Sequence, residues 1–232
     1  MSDTMLGSTR PQTPALPGTV RFSRTAALAG LFAVACGFVQ AASVGAKPGV
    51  GDSAAKVTAY FADNGSGHRV GVVISALLAI PLALFFIGVY RPLVAADRTR
   101  GSVWAPLFLF GTIMMSATAG LSEALFAIPV LREGAGLAPE TLRALNDGSL
   151  IANATVGVWA ALAIGAVAAA TFQNHIRAQW YGWFCALVAV LGALSVVDTV
   201  STGTGSLFSN LTLFAFILWT VVTSILMLRE ND

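Results

Sequence analysis

Six apolar segments, each close to the length of a membrane-spanning helix, constrain the fold of this chain more than any other feature. They cover approximately residues 25–46, 69–90, 104–131, 149–172, 180–201 and 206–228. A helix needs about 20 consecutive apolar residues to cross a bilayer. Only 10% of the 232 residues are charged, whereas soluble domains carry about a quarter. We therefore predict an all-α integral membrane bundle of six transmembrane helices.

The polar parts of the chain predict the limits of the transmembrane domain and the structure of two of its loops. We predict a disordered cytoplasmic tail over residues 1–24, because most of it is rich in Ser, Thr, Pro and Gly, and a transmembrane domain over 25–229. Apolar side chains share one helical face in 52–64 and in 138–147, which predicts short amphipathic helices in two outer loops. The first apolar segment ends like a signal peptide, but its length favours a retained helix.

The distribution of basic residues predicts the orientation of the bundle. The tail, the loops 91–103 and 173–179 and the C-terminus hold eight Arg, whereas the opposite loops and helix ends hold five basic residues. The positive-inside rule then places both termini in the cytoplasm. Trp104 and Trp180 fall at the same interface, where amphipathic rings are enriched.

Polar side chains recur at one level of the predicted bundle. Glu123 lies 19 residues after Trp104 and Asp198 lies 18 residues after Trp180, which places both acids roughly 27–28 Å from that interface. The candidate ligand-binding residues near this level are Glu123, Asp198, Asn153, Gln40 and Asn210, and Ser116, two turns before Glu123 on the same segment, is added to them.

The spacing on the third segment predicts which way Glu123 faces. Ser116, Gly120 and Glu123 follow each other at intervals of four and three residues, so they share one helix face. An ionised carboxylate that faces lipid costs several kcal/mol. We therefore predict that Glu123 lines an outward-opening polar cavity, and that Asp198 belongs to the same site.

Several classes of function are disfavoured. The net charge of +2 and the dispersed basic residues argue against nucleic-acid binding. His68 and His175 fall at opposite surfaces, and no Cys/His cluster has zinc-ligand spacing, so we predict no metal and no cofactor. No phosphate-binding or nucleophile motif occurs in the sequence. The expected partners are the lipid bilayer and an amphiphilic or lipid ligand, and the oligomeric state stays open.

Three roles for the two acids remain. The first is binding, sensing or translocation of a small or amphiphilic molecule. The second is cofactor-free acid/base catalysis on a lipid or prenyl substrate, as in a cyclase or isomerase, with Glu123 and Asp198 as the candidate catalytic residues. In the third, each acid is hydrogen-bonded to Ser, Thr, Asn or a backbone carbonyl and only holds the bundle together.

The last two apolar segments carry a resemblance. A basic, Trp-bearing turn, "IRAQWYGWF", precedes an Ala/Val/Leu/Gly helix and then "LFAFILWTVVTSILM". With "HRVGVVISALLAIPLALFFIGVYRPL" earlier, this resembles a widespread group of small six-span bacterial membrane proteins known only as domains of unknown function. The group usually has Pro-Arg where this chain has Ala178-Gln179. The resemblance implies a helical bundle in the plasma membrane, and it supplies no catalytic residues that could be assigned to this chain.

Overall fold

The computed structural model of the chain describes residues 17–63, 65–132, 136–200 and 207–230, without the side chains of 17–22, 98–100 and 199–200. Within these residues it has seven helices, one short helical turn and no strand, so the predicted all-α class is confirmed. The elements are α1 (Pro17–Val44), α2 (Ala54–Asp63), α3 (Gly65–Arg100), α4 (Trp104–Leu131), α5 (Pro139–Asn174), α6 (Gln179–Leu194), the turn α7 (Val197–Val200) and α8 (Leu207–Arg229).

Five of the helices are long and apolar enough to cross a membrane. Only 22% to 44% of the most apolar stretch of each is buried inside the protein. On α3, for example, Val73, Leu77 and Ile80 form an outward stripe in which each side chain is more than half exposed. Apolar surface of this extent is typical of a protein that is covered by lipid rather than water. The spans are Ser23–Val44, Gly65–Asp97, Trp104–Leu131, Pro139–Asn174 and Leu207–Arg229.

The predicted fifth segment, 180–201, is interrupted. Helix α6 has 16 residues, roughly 24 Å of rise, against a hydrocarbon core of about 30 Å. The chain turns at Ser195, whose hydroxyl donates to the carbonyls of Gly192, at 2.7 Å, and Ala154, at 2.9 Å. The Ala154 carbonyl belongs to the neighbouring helix α5, so this contact fixes the turn against the bundle.

Two predicted boundaries also differ from the structure. Helix α1 begins at Pro17, so residues 17–24 of the predicted tail are helical, whereas residues 1–16 lie outside the described part of the chain. Residues 54–63 form a helix, and Ser53 caps it by accepting a hydrogen bond from the Lys56 amide at 3.3 Å. Residues 138–147, in contrast, run without a break into α5, because Pro139 starts a helix that Gly148 does not end.

Small residues bring α5 close to both of its neighbours. Gly111 of α4 lies against the backbone of α5 at Ala163, and Gly157 of α5 lies against Gly192 of α6. Helices α4 and α6 therefore pack on opposite sides of α5. Gly157, Ala161 and Gly165 follow each other at intervals of four residues on α5, a ridge of small residues that permits close helix packing in membranes.

Two apolar cores divide the molecule along its length. The larger one contains Phe85, Phe108 and Trp219 and fills the half near the start of α4. The smaller one contains Phe61 and Phe126 and lies at the other end, where α2 packs against the long helices. The candidate site lies beside this smaller core.

Candidate functional site

Three polar side chains from three long helices meet near the smaller core. Gln40 of α1 donates through Nε2 to Ser75 Oγ of α3 at 2.7 Å and to Glu123 Oε1 of α4 at 3.4 Å. We call Gln40, Ser75 and Glu123 the polar cluster. All three side chains are half-buried. A carboxylate accepts up to about four hydrogen bonds, and the long contact to Gln40 satisfies only a small part of that capacity.

The local sequence explains why these side chains meet. Gly71 lies one turn before Ser75 on α3, and a Cβ atom there would collide with Val44 of α1. The glycine thus lets α1 approach α3 closely just where Gln40, one turn before Val44, faces Ser75. The cluster therefore depends on a small residue that carries no polar group itself.

A lysine brings a positive charge to the same region. Lys47 follows α1 in the linker to α2, and its Nζ lies 4.0 Å from the centroid of the Phe126 ring. Phe126 is three residues after Glu123, so both side chains lie on one face of α4. Desolvation lowers the pKa of the Lys47 ammonium below its ordinary value, while the negative charge of Glu123 acts to raise it. The site therefore combines a partly desolvated cation with a half-buried carboxylate.

The linker that carries Lys47 is held in place by two hydrogen bonds. The Tyr60 hydroxyl of α2 donates to the Val44 carbonyl at 3.0 Å, and Asn146 Nδ2 of α5 donates to the Pro48 carbonyl at 3.2 Å. These contacts satisfy carbonyls at and beyond the end of α1, which its own helix leaves without partners. Helix α2 and its linker thus form a cover over this end of the bundle.

His68 is enclosed by aromatic rings beneath this cover. Its side chain is 1% exposed, and its ring centroid lies 4.5 Å from Tyr60, 5.8 Å from Phe126 and 6.0 Å from Phe61. The imidazole therefore acts as part of the apolar packing that joins α2, α3 and α4, and through Phe126 it adjoins Lys47.

Asp198 occupies a different position from the polar cluster. Its carboxylate accepts the backbone N–H of Ser209 at 2.6 Å and of Phe208 at 3.4 Å, in the first turn of α8. A carboxylate there satisfies amides that lack helical partners and complements the helix dipole. Glu123 and Asp198 thus contact different groups, and their membership of one site stays a prediction.

The other predicted site residues are spread over the surface of the bundle. Ser116 on α4, Asn153 on α5 and Asn210 on α8 all have exposed side chains. The helix face of Ser116 is open, because a Cβ atom built on Gly120, one turn further along, would meet nothing within 4 Å. The polar stripe of α4 therefore faces outward at Ser116 and Gly120 and turns toward the cluster only at Glu123.

The comparisons with known proteins provide no relative. No family model, curated protein or solved structure matches this chain. The resemblance to small six-span bacterial proteins therefore stays a prediction.

The described residues contain no group of three or more His, Cys, Asp or Glu that could hold a metal ion. This observation does not test whether the protein binds a cofactor, so the absence of one stays a prediction. What the site offers chemically is hydrogen bonding, one negative charge and one positive charge, beside aromatic rings.

Sequence reasoning overlooked two groups at the site. From the sequence, Lys47 is only one of the five basic residues of the outer loops and helix ends, and His68 is only a histidine at the surface opposite His175. A usable signal was present for Lys47, since it lies three residues after α1, in the Gly- and Pro-containing linker "GAKPGVG". Because Lys47 is so close in sequence to the end of α1, its long side chain can reach back over the bundle.

Proposed function

We propose that this protein is a membrane-embedded binding protein for a small amphiphile, whose polar head is held at the polar cluster. The observation that carries the proposal is the hydrogen bonding of Gln40 to both Ser75 and Glu123, which gathers polar groups of three long helices at one half-buried point. Polar groups inside a membrane bundle commonly mark ligand pathways. The apolar helix surfaces beside the cluster suit an acyl or prenyl tail.

The charges at the site favour a dipolar head group. Glu123 attracts a cationic or hydrogen-bond-donating part of a ligand, whereas Lys47 attracts an anionic or accepting part. Lys47 Nζ lies over the Phe126 ring, within reach of the face of α4 that carries Glu123. A zwitterionic or strongly hydrogen-bonding neutral head matches this pair better than a head with a single charge.

The test compares amphiphiles that share one alkyl tail and differ in the head. The protein is purified in a neutral glycoside detergent, and its thermal unfolding is followed while zwitterionic, cationic, anionic or neutral amphiphiles are added. We expect the zwitterionic compound to stabilise the protein most. Glu123→Gln should weaken its binding roughly 10- to 100-fold, as expected for loss of a hydrogen bond to a charged group.

Glu140→Gln is the matched control. Glu140 is an exposed acid in the first turn of α5, at the same end of the bundle, and its loss changes the net charge equally. Equal effects of the two substitutions, or stabilisation that is independent of the head group, would contradict the proposal.

The proposal includes a topology. We infer that α6, the turn at Ser195 and α7 together form a sixth crossing, so that both termini lie in the cytoplasm and the polar cluster lies toward the outer face of the plasma membrane. The bias of Arg residues supports this orientation. The strongly exposed Trp180 and Trp183, at 54% and 67%, suit the cytoplasmic interface.

Cysteine labelling tests this topology. With Cys36 and Cys185 replaced, a cysteine at exposed Ala144 should react with an impermeant thiol reagent outside intact cells, and one at exposed Val103 should not. The reverse labelling pattern would place the polar cluster on the cytoplasmic side.

A second candidate function is acid/base catalysis on a lipid or prenyl substrate. It is favoured by the position of Lys47, whose Nζ lies over the Phe126 ring on the face of α4 that carries Glu123. Desolvation there lowers the pKa of the ammonium, and groups with perturbed pKa values serve as acids and bases in active sites. Incubation with lipid extracts, followed by chromatography and mass spectrometry, should then reveal an isomerised product that Lys47→Met abolishes. If no substrate is consumed, the binding function alone remains.

A further inference from the structure

A largely buried arginine lies at the end of the molecule opposite the polar cluster. Arg177 is in the loop between α5 and α6, and its side chain is only 10% exposed. Its guanidinium carbon lies 5.3 Å from the centroid of the Tyr181 ring. A cation that is removed from water in this way requires an anionic partner or several acceptors.

The partner that the chain supplies fits it incompletely. Glu230, one residue beyond α8, accepts a hydrogen bond from Arg177 Nη2 at 3.1 Å. Arg177 Nη1 lies 2.9 Å from the second carboxylate oxygen but without the alignment of a hydrogen bond. A guanidinium has five N–H donors, and Glu230 accepts a hydrogen bond from only one of them. The Glu230 side chain is itself 55% exposed.

The pair opens onto a cleft. The cleft has a volume of about 190 Å³ and is lined by Arg177, Ala178, Trp180, Tyr181, Leu226 and Glu230. This is room for several water molecules or for one tetrahedral oxyanion. Its walls are otherwise aromatic and apolar, and Trp180 at the rim is exposed. The cleft could therefore bind an anionic group through Arg177 and an adjoining apolar part of the same ligand through its aromatic and apolar walls.

We propose that this cleft is an anion site, in which Arg177 binds a phosphate or phosphodiester group and Glu230 is the internal carboxylate that the ligand displaces. Arginine is suited to this role because its planar fork binds phosphate oxygens in pairs. Basic pockets between membrane helices on the cytoplasmic side commonly bind the head groups of anionic lipids, and the proposed topology puts this cleft on that side. The site is independent of the polar cluster.

The experiment measures binding by the shift in thermal unfolding of the full-length protein in neutral detergent. Three probes are added separately: inorganic phosphate, a soluble short-chain phosphatidylglycerol, and a phosphatidylcholine with the same chains. Stabilisation by phosphate and phosphatidylglycerol alike identifies a free anion as a sufficient ligand. Stabilisation by phosphatidylglycerol alone identifies a lipid head group as the ligand, because the apolar part of the lipid is then needed for binding. Either result supports the site, provided that phosphatidylcholine is weaker.

Two variants distinguish this site from general charge effects. Arg177→Gln should abolish the stabilisation. Glu230→Gln keeps an acceptor for the guanidinium on a half-exposed side chain. It should tighten the apparent Kd roughly two- to fivefold, because the carboxylate no longer competes with the ligand. Arg229→Gln is the control, because Arg229 is an exposed cation beside Glu230 and should change binding little. Unchanged binding in Glu230→Gln, or an equal loss in Arg229→Gln, would overturn the proposal.

Discussion

A pair of glycines on α4 provides a quantitative test of the helix packing. A Cβ atom at Gly111 would lie 2.8 Å from the Ala163 amide nitrogen and 3.0 Å from the Trp159 carbonyl oxygen of α5. Both atoms belong to the backbone, so they cannot rotate away, and α4 must move from α5 by several tenths of an ångström. Gly111→Ala should therefore lower the free energy of unfolding by about 1–3 kcal/mol, the usual cost of overpacking.

Gly120→Ala is the matched substitution, nine residues further along the same helix. A Cβ atom there would meet nothing within 4 Å, and alanine reduces the conformational freedom of the unfolded chain. Its free energy of unfolding should be unchanged or higher by about 0.4–1 kcal/mol. The assay is unfolding by sodium dodecyl sulfate in mixed micelles, followed by tryptophan fluorescence. Equal destabilisation by the two substitutions would refute the close approach of α4 to α5 at Gly111.

Three further predictions concern the charged groups. The pKa of Lys47 is lowered in the folded state, so the unfolded chain binds the proton more tightly. The free energy of unfolding should therefore rise with pH between the folded-state pKa and the ordinary value of 10.5. Chemical unfolding measured at several pH values in this range should show the rise in the unmodified protein and not in Lys47→Met. Asp198→Ala should lower the free energy of unfolding by about 1 kcal/mol, and Asp198→Asn by less, because the carboxylate caps the first turn of α8; an equal loss in both variants would argue against capping. Since Glu123 and Asp198 contact different groups, a double-mutant cycle of Glu123→Gln and Asp198→Asn should be additive within about 0.5 kcal/mol, whereas a larger coupling would indicate the shared site.

Hydropathy predicted the limits of a long helix well where polar residues or glycine lie next to the apolar segment. Helix α4 begins at Trp104 and ends at Leu131, the predicted limits, because polar residues and Gly follow the apolar stretch. The end of α6 could not be predicted in this way. The break at Ser195 depends on a hydrogen bond to the Ala154 carbonyl of another helix, and a serine within an apolar segment does not reveal that contact.

The same distinction applies to the candidate site. Counting residues along helices placed Gln40 and Glu123 at a similar height, and the structure joins them by a hydrogen bond. Counting also placed Asp198 at that height, but it ignored the N–H groups of α8 that lie there and attract the carboxylate. Lys47 lies three residues after α1, so its side chain could be expected to reach back over the bundle. Its position beside Phe126 could not be predicted, because contacts of α2 and α5 set the path of the linker.

Photoaffinity labelling shows directly whether an amphiphile binds at the polar cluster. A zwitterionic amphiphile with a photoreactive diazirine beside its head group is irradiated with the protein in neutral detergent, and the labelled peptides are identified by mass spectrometry. Binding at the polar cluster predicts label on peptides that contain Gln40, Ser75 or Glu123, and its loss in Glu123→Gln but not in Glu140→Gln. Label confined to peptides of α6 and α8, or label on the cluster peptides that Glu123→Gln leaves unchanged, would contradict the account.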